Sequence, residues 1–346
     1  MKKFLGVTVV LLTIAAGGGG YWSYQWLHKP LNISAEGFNH ELKSGDSLGR
    51  MAYQLERRGI LNYPRILLVY EGFIDTGNIK AGEYFFPKGT TPLEMLEKVE
   101  RGEVINYQVT LVEGWTFSQA LNTLHRQPKL KALLADKTRT QQLQLLQLDL
   151  DHPEGWFFPD TYNYTAGTSD IELLQAAHQR MRDVLASEWE QRDIGLPYDN
   201  AYEALIMASI IERETGQPSE RRQIAGVFVR RLQKKMRLQT DPTVIYGLGE
   251  SYKGNIQRRH LKQETPYNTY VIRGLPPTPI ALPGYESIAA ALHPDDGTAL
   301  YFVAKGDGSH HFSTTLEEHN KAVRRYQVSR REKNYRSSPA ETEGTL

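Results

Sequence analysis

The chain has no cysteine, which removes thiol nucleophiles, cysteine-bound metals and disulfides together. It also lacks an excess of charge of either sign. With 41 Lys and Arg against 40 Asp and Glu, the formal net charge is +1, so nothing electrostatic points to a nucleic acid partner. His260, His293, His310, His311 and His319 never fall at the His-x-x-x-His spacing of a helical zinc site, and no metal is expected. Phosphate-cradling loops are missing, because GGGG at 17–20 lies in an apolar run and GDGSH at 306–310 lacks the lysine of a P-loop. A serine nucleophile elbow is absent as well.

What is present starts with an oily N-terminus. After Lys2 and Lys3, the run Phe4 to His28 carries no Asp, Glu, Lys or Arg. At about 1.5 Å rise per residue, a helix over most of it crosses a hydrocarbon layer roughly 30 Å thick. A basic start and a short apolar centre also suit a cleaved signal peptide, but no clear small-residue cleavage site follows, so a retained single-span anchor is expected. The terminal lysines favour a cytoplasmic start, and Tyr21, Trp22, Tyr24 and Trp26 suit the far interface. Gly17 to Gly20 weaken this helix.

Beyond the anchor, periodicity predicts a small α+β module of about 75 residues. It has a strand near 38–42, a turn at Gly45, and a helix capped by Asp46 or Ser47 with Leu48, Met51, Ala52 and Leu55 inward. A helix after Pro64, a strand ending at Pro87 and a helix over 92–100 complete it. Helices are expected to dominate from about 117 to 150, and LKALLADKTRTQQLQLLQLDLDHPEG, 130–155, with leucines at helical spacing, predicts helical hairpin material closing at Pro153. The aromatic segment EGWFFPDTYNYTAGT at 154–168 reads as core, with a sugar-stacking wall as its alternative. Helices are expected from 171 and over 220–236, the latter with a solvated basic face. Residues 240–313, rich in Pro, Gly, Tyr and Thr, read as loops and short strands.

One stretch carries chemistry: ALIMASIIERETG, 204–216. Eight small or apolar residues demand a buried helix, and Glu212 and Glu214 follow at its tail, about 200° apart around the axis. A helix C-terminus disfavours a carboxylate, so the carboxyl pKa should rise. Such an acid, in a partly apolar cleft, can hold a proton near neutral pH and hand it to a leaving oxygen, as glycosidic cleavage requires. The competing reading is structural pairing with Arg213, Arg221, Arg222 or Arg237.

Longer motifs bear on that choice. ASIIERET, RLQTDPTVIYG, TPYNTYVIRGLPPTPIALPG, AALHP and YFVAKGDGSHHFSTTLEEHN occur in this order, and the chain resembles the MltG (YceG-like) endolytic murein transglycosylases. The likeness runs from the anchor to about residue 330, while GDSL with IKAGEYFFP resembles only a degenerate LysM-like module. The resemblance implies an α+β fold in four parts: cytoplasmic start and transmembrane anchor at 1–28, LysM-like module at 29–107, catalytic domain at 108–330, and disordered polar tail at 331–346. It implies a bacterial inner-membrane lyase with its catalytic domain in the periplasm. That lyase cuts peptidoglycan glycan strands internally at the MurNAc-GlcNAc β-1,4 bond, leaves a 1,6-anhydro-MurNAc end and so terminates strand elongation. No metal or organic cofactor is required, and glycan polymerases and transpeptidases are the expected protein partners.

By the same resemblance the catalytic acid is Glu214. Glu212 is a supporting residue, and Gln239, Asp241, Thr243, Tyr246, Asn268, Tyr270, His310 and Asn320 are expected around the cleft. Thr278 and Leu282 depart from the family pattern in the loop before Gly284. Ordinary glycosidases need two carboxylates; here the substrate's own 6-hydroxyl can attack, so one glutamate can serve as acid and then base. Two other functions stay open: a hydrolytic muramidase with Glu212, Asp241 or Glu264 as second carboxylate, and a membrane-anchored peptidoglycan-binding scaffold.

Overall fold

The computed structural model describes residues 2–73 and 79–329. The fold is mixed α+β and divides into two compact units: Met1–Gln108 with Pro128–Lys131 and Asn163–Ser169, and Val109–Gln127 with Ala132–Tyr162 and Asp170–Leu346.

The first unit opens with α1 (Lys2–Leu27). Among the described residues, no helix is long and apolar enough to cross a membrane. The side chains of residues 2–7 and 9–11, which carry much of the expected anchor's apolar character, lie outside the description. Past α1 come β1 (Phe38–Leu42), α2 (Leu48–Arg57), α3 (Pro64–Glu71), β2 (Gly82–Phe86) and α4 (Pro92–Glu100). The strands pair antiparallel, with Phe38 opposite Phe86 and Leu42 opposite Gly82. Of the two expected caps for α2, Ser47 is the one that accepts from the Arg50 amide, at 3.2 Å. Asp46 instead pairs with the Arg50 side chain at 2.7 Å. Leu48, Met51, Ala52 and Leu55 are buried as the periodicity requires, against Tyr84, Phe86, Met95, Leu96 and Val99.

β3 (Asn106–Thr110) pairs with β4 (Thr161–Thr165), and the division into units falls within both strands. In the second unit, α5 (Phe117–His125) and α6 (Arg139–Leu146) each begin with a complete capping box, from Thr116 and Thr138. The hairpin expected from residue 130 to Pro153 is thus reduced to α6. The reason lies in the Asp170 carboxylate, which accepts the amides of Leu133 and Leu134 at 3.0 and 2.9 Å and so fixes that stretch as a turn.

Helix α7 (Asp170–Gln191) precedes α8 (Ala201–Glu214), α9 (Arg221–Gln233), α10 (Asp241–Leu248) and α11 (Tyr285–Leu292). Every residue of α8 from Ala204 to Ile211 is buried, and α8 packs against α7, α9, α10 and α11. Two helices therefore stand where loops and strands were expected over 240–313. Asp241 and Pro242 supply an N-terminal start for α10, while α11 is short and largely core, so its pattern lacks a polar face to mark it. β5 (Tyr301–Ala304) and β6 (His310–Ser313) form an antiparallel pair, followed by α12 (Leu316–Val323). The expected disordered tail lies outside the described residues.

Candidate active site

The two glutamates at the end of α8 point to different neighbours, as their angular separation requires. One carboxylate oxygen of Glu212 accepts from the Gly284 amide at 3.0 Å and the Ser287 hydroxyl at 2.8 Å. Its other oxygen lies 3.7 Å from the Arg221 guanidinium. The carboxylate thus sits at the start of α11, where the helix dipole favours an anion. For Glu212 the structural pairing reading holds, with Arg221 as partner.

Glu214 differs. Its carboxylate accepts the Thr240 hydroxyl at 2.9 Å, and no ion pair engages it among the described residues. The neighbouring Arg213 donates to the Gly114 carbonyl at 3.1 Å instead. Burial pushes the Glu214 carboxyl up to about 7; the Thr240 hydrogen bond opposes this, Asp241 adds to it, and Arg231 opposes it. The group therefore exchanges its proton near neutral pH while keeping partial solvent access.

Thr240 is itself held by a lattice of threonines. Its amide donates to the Thr269 hydroxyl at 3.1 Å, and its carbonyl accepts from the Thr243 hydroxyl at 2.9 Å. The hydroxyls of Thr243 and Thr269 meet at 2.9 Å. Gln239 precedes it in a left-handed conformation, φ 54°, and its amide donates to the Thr269 carbonyl at 3.2 Å. Next to this lattice, the Tyr270 hydroxyl donates to Asp241 at 2.7 Å. Burial, then the Asp241 charge, raises the Tyr270 phenol.

Glu214, Gln239, Asp241, Thr243 and Tyr270 thus belong to one neighbourhood. Tyr246 lies further along α10 and donates to Glu154 at 3.0 Å. Asn268 braces its own loop, donating to the carbonyls of His260 and Gln263 at 3.0 and 2.7 Å. His310 is buried, with Nδ1 on the Glu220 carboxylate at 2.7 Å, and Asn320 is exposed on α12. Among the described residues, no hydrogen bond or ion pair joins any of these four to Glu214. Glu264, a candidate second carboxylate, is exposed.

Three participants escaped the sequence reading. Thr240 and Thr269 stand inside quoted motifs, RLQTDPT and YNTY, but a hydroxyl that holds an acid has no periodicity to reveal it. Glu154 is 4% exposed, with one oxygen on the Phe117 amide at 2.7 Å and the other on Tyr246; burial lifts it to about 7, against those two hydrogen bonds. A lone acid opening an aromatic run, EGWFFP, was its only signal. In that run Phe157 and Phe158 are core, whereas Trp156 is part-exposed and stacks on Tyr202 with ring centroids 5.5 Å apart. Among the described residues no group of His, Asp and Glu is arranged to hold a metal.

The chain is similar over most of its length to several known proteins. The endolytic murein transglycosylase of Bacillus subtilis (strain 168) is 33% identical over 316 residues, 85% of this chain and 86% of its own. The Streptococcus pneumoniae (strain ATCC BAA-255 / R6) protein of the same name is 25% identical over 363 residues, 93% of this chain and 65% of its own. The crystal structure of a YceG-like protein from Listeria monocytogenes superposes with a TM-score of 0.50 at 31% identity, over 83% of this chain and 99% of that one. The sequence model of the YceG-like family matches residues 40–325, and with relatives of this extent the chain belongs to the YceG-like family.

Proposed function

We propose that this chain is an endolytic peptidoglycan lytic transglycosylase in which Glu214 acts first as acid and then as base. The observation that carries the reading is a carboxyl raised to about 7, held by one hydroxyl and, among the described residues, in no ion pair, at the end of a buried helix. The relatives named endolytic murein transglycosylases support it. Glu214 gives its proton to the O4 leaving oxygen as the bond to C1 of N-acetylmuramic acid breaks. The 6-hydroxyl of the same sugar attacks C1, its proton returns to Glu214, and a 1,6-anhydro end results. Positive charge developing at C1 faces Asp241, Tyr270 and the ionised Glu214, and electrostatic stabilisation of this kind is a large part of such catalysis.

Gln239, Thr243 and Tyr270 would orient the sugar or the acid. Glu212 would fix the helix end, with Tyr246, Asn268, His310 and Asn320 in the outer ring. The chain needs no cofactor for these steps. We read α1 as a single-span anchor that keeps the second unit outside the inner membrane, near the polymerases and transpeptidases that extend the strands. The strand-helix-helix-strand order of residues 38–86 supports a LysM-like module. We read the domain limits as 1–28, 29–107, 108–330 and 331–346.

Asp241, close enough to raise Glu214, keeps a hydrolytic muramidase as the second reading. Mass analysis of digested peptidoglycan separates the two: anhydro ends are expected, and reducing ends without them would overturn the lyase.

A further inference from the structure

Arg231 lies on α9, whose basic residues read from sequence as a solvated face. Instead it is buried, at 8% exposure. Its Nε donates to the Leu300 carbonyl at 2.7 Å; its Nη1 donates to the carbonyls of Arg237 and Leu238 at 3.2 and 2.8 Å and reaches Gln239 Oε1 at 3.5 Å. The guanidinium carbon stands 5.1 Å from the centroid of the Tyr301 ring. The acceptors on its Nε and Nη1 are three backbone carbonyls and a side-chain amide oxygen, and none of them carries a charge to neutralise the guanidinium. Burying a cation in this way is costly, and a purely structural role is served more cheaply by an apolar side chain.

Two of those carbonyls belong to the residues just before Gln239 and Thr240. The guanidinium therefore holds the turn from which Thr240 reaches Glu214. Its charge also acts on Glu214 and Tyr270. We propose that Arg231 is a positioning residue for the cleavage reaction: by clamping the Arg237 and Leu238 carbonyls it seats the Thr240 hydroxyl on Glu214, and its charge supports the carboxylate left when Glu214 has given up its proton.

The inference rests on the reading of Glu214 as acid and then base. Around Glu214 the other charged or titratable neighbours are Asp241 and Tyr270, and around Arg231 they are Tyr270, Tyr301 and His319. Asp241 raises the Glu214 carboxyl and Arg231 lowers it, so loss of the cation moves Glu214 upward.

The test uses the full chain in detergent, with release of anhydro products from purified peptidoglycan followed across pH for Arg231→Gln, Arg231→Lys, Thr240→Val and Arg231→Lys with Thr240→Val. Arg231→Gln should lose about tenfold or more in kcat, and its high-pH limb should move up by roughly half a unit or more, because the acid form persists to higher pH. Arg231→Lys keeps the charge but cannot span three carbonyls, so kcat falls with the limb unmoved. In the Thr240→Val background the lysine change should cost little more, since the two residues act in series. Equal losses in the Lys and Gln variants with both limbs unmoved, or full additivity with Thr240→Val, would overturn the proposal. If Arg231→Gln does not fold, the lysine cycle decides alone. Absence of anhydro products from the unaltered chain would instead sink the reading of function.

Discussion

Thr240 donates its hydroxyl to Glu214 over 2.9 Å, and that single neutral contact is what distinguishes Glu214 from Glu212 two residues earlier. Glu212 accepts two hydrogen bonds and faces a guanidinium. The same chemical group, on the same last turn, meets one neutral hydroxyl in one position and two donors with a guanidinium in the other.

Replacing Glu214 by Gln should remove about 10² to 10⁴ of the rate, the usual worth of a positioned acid or base, in a chain that still folds. Quantifying anhydro ends from purified peptidoglycan checks this. Full activity in the folded variant would move the catalytic role elsewhere.

Activity and stability should both fall as pH rises toward alkaline. The Glu214 carboxyl stands at about 7 against an ordinary 4.5, so the folded chain keeps a proton that the unfolded chain has released. That contribution is complete below about 4.5 and is lost as pH climbs through about 7. Glu154, lifted to about 7 by burial, adds a slope of the same sign. Melting temperatures measured across this window should decline with pH, and Glu214→Gln should flatten the decline.

Glu212 should separate from Glu214 in its response to substitution. A glutamine there can still accept from Gly284 and Ser287, so Glu212→Gln should retain more than a tenth of the activity. Glu212→Ala leaves those two donors without their acceptor and Arg221 with only Glu113, 3.8 Å away, a loss of about 1–3 kcal/mol. Denaturant unfolding reads the difference; equal stability of the two variants would argue against the contacts described.

Gly155 joins Glu154 to Trp156 with φ 82°, and an added Cβ would lie 2.4 Å from the Pro279 Cβ. Gly155→Ala should therefore destabilise by more than about 1 kcal/mol, because the conformation and the proline both oppose it. The expected accompaniment is lost activity, as Pro279 precedes the Ile280 amide that donates to Ser209 inside α8, at 3.0 Å. A melting curve like that of the unaltered chain would contradict it.

Much of the fold was legible in the sequence because apolar spacing reports burial. The stripe of α2, the all-round burial of α8 and the strands of the first unit follow from it directly. What stayed hidden was set by side chains acting over distance. Asp170 turns the chain at 133–134, and Arg231 abandons its expected solvated face for carbonyls contributed by residues 237, 238 and 300. Of the candidate site, Glu214 was visible as an acid in an electrostatically awkward place. The threonines that hold it carry neither charge nor periodicity.

The tether on Glu212 has one more consequence. The final turn of a helix ordinarily frays, because its last carbonyls have no partners within the helix. In α8 that turn is fastened from the side, Glu212 to the start of α11 and Arg213 to the Gly114 carbonyl. The most restless segment of a helix has become a fixed mount, and its backbone amides should exchange with solvent deuterium nearly as slowly as those at the helix centre.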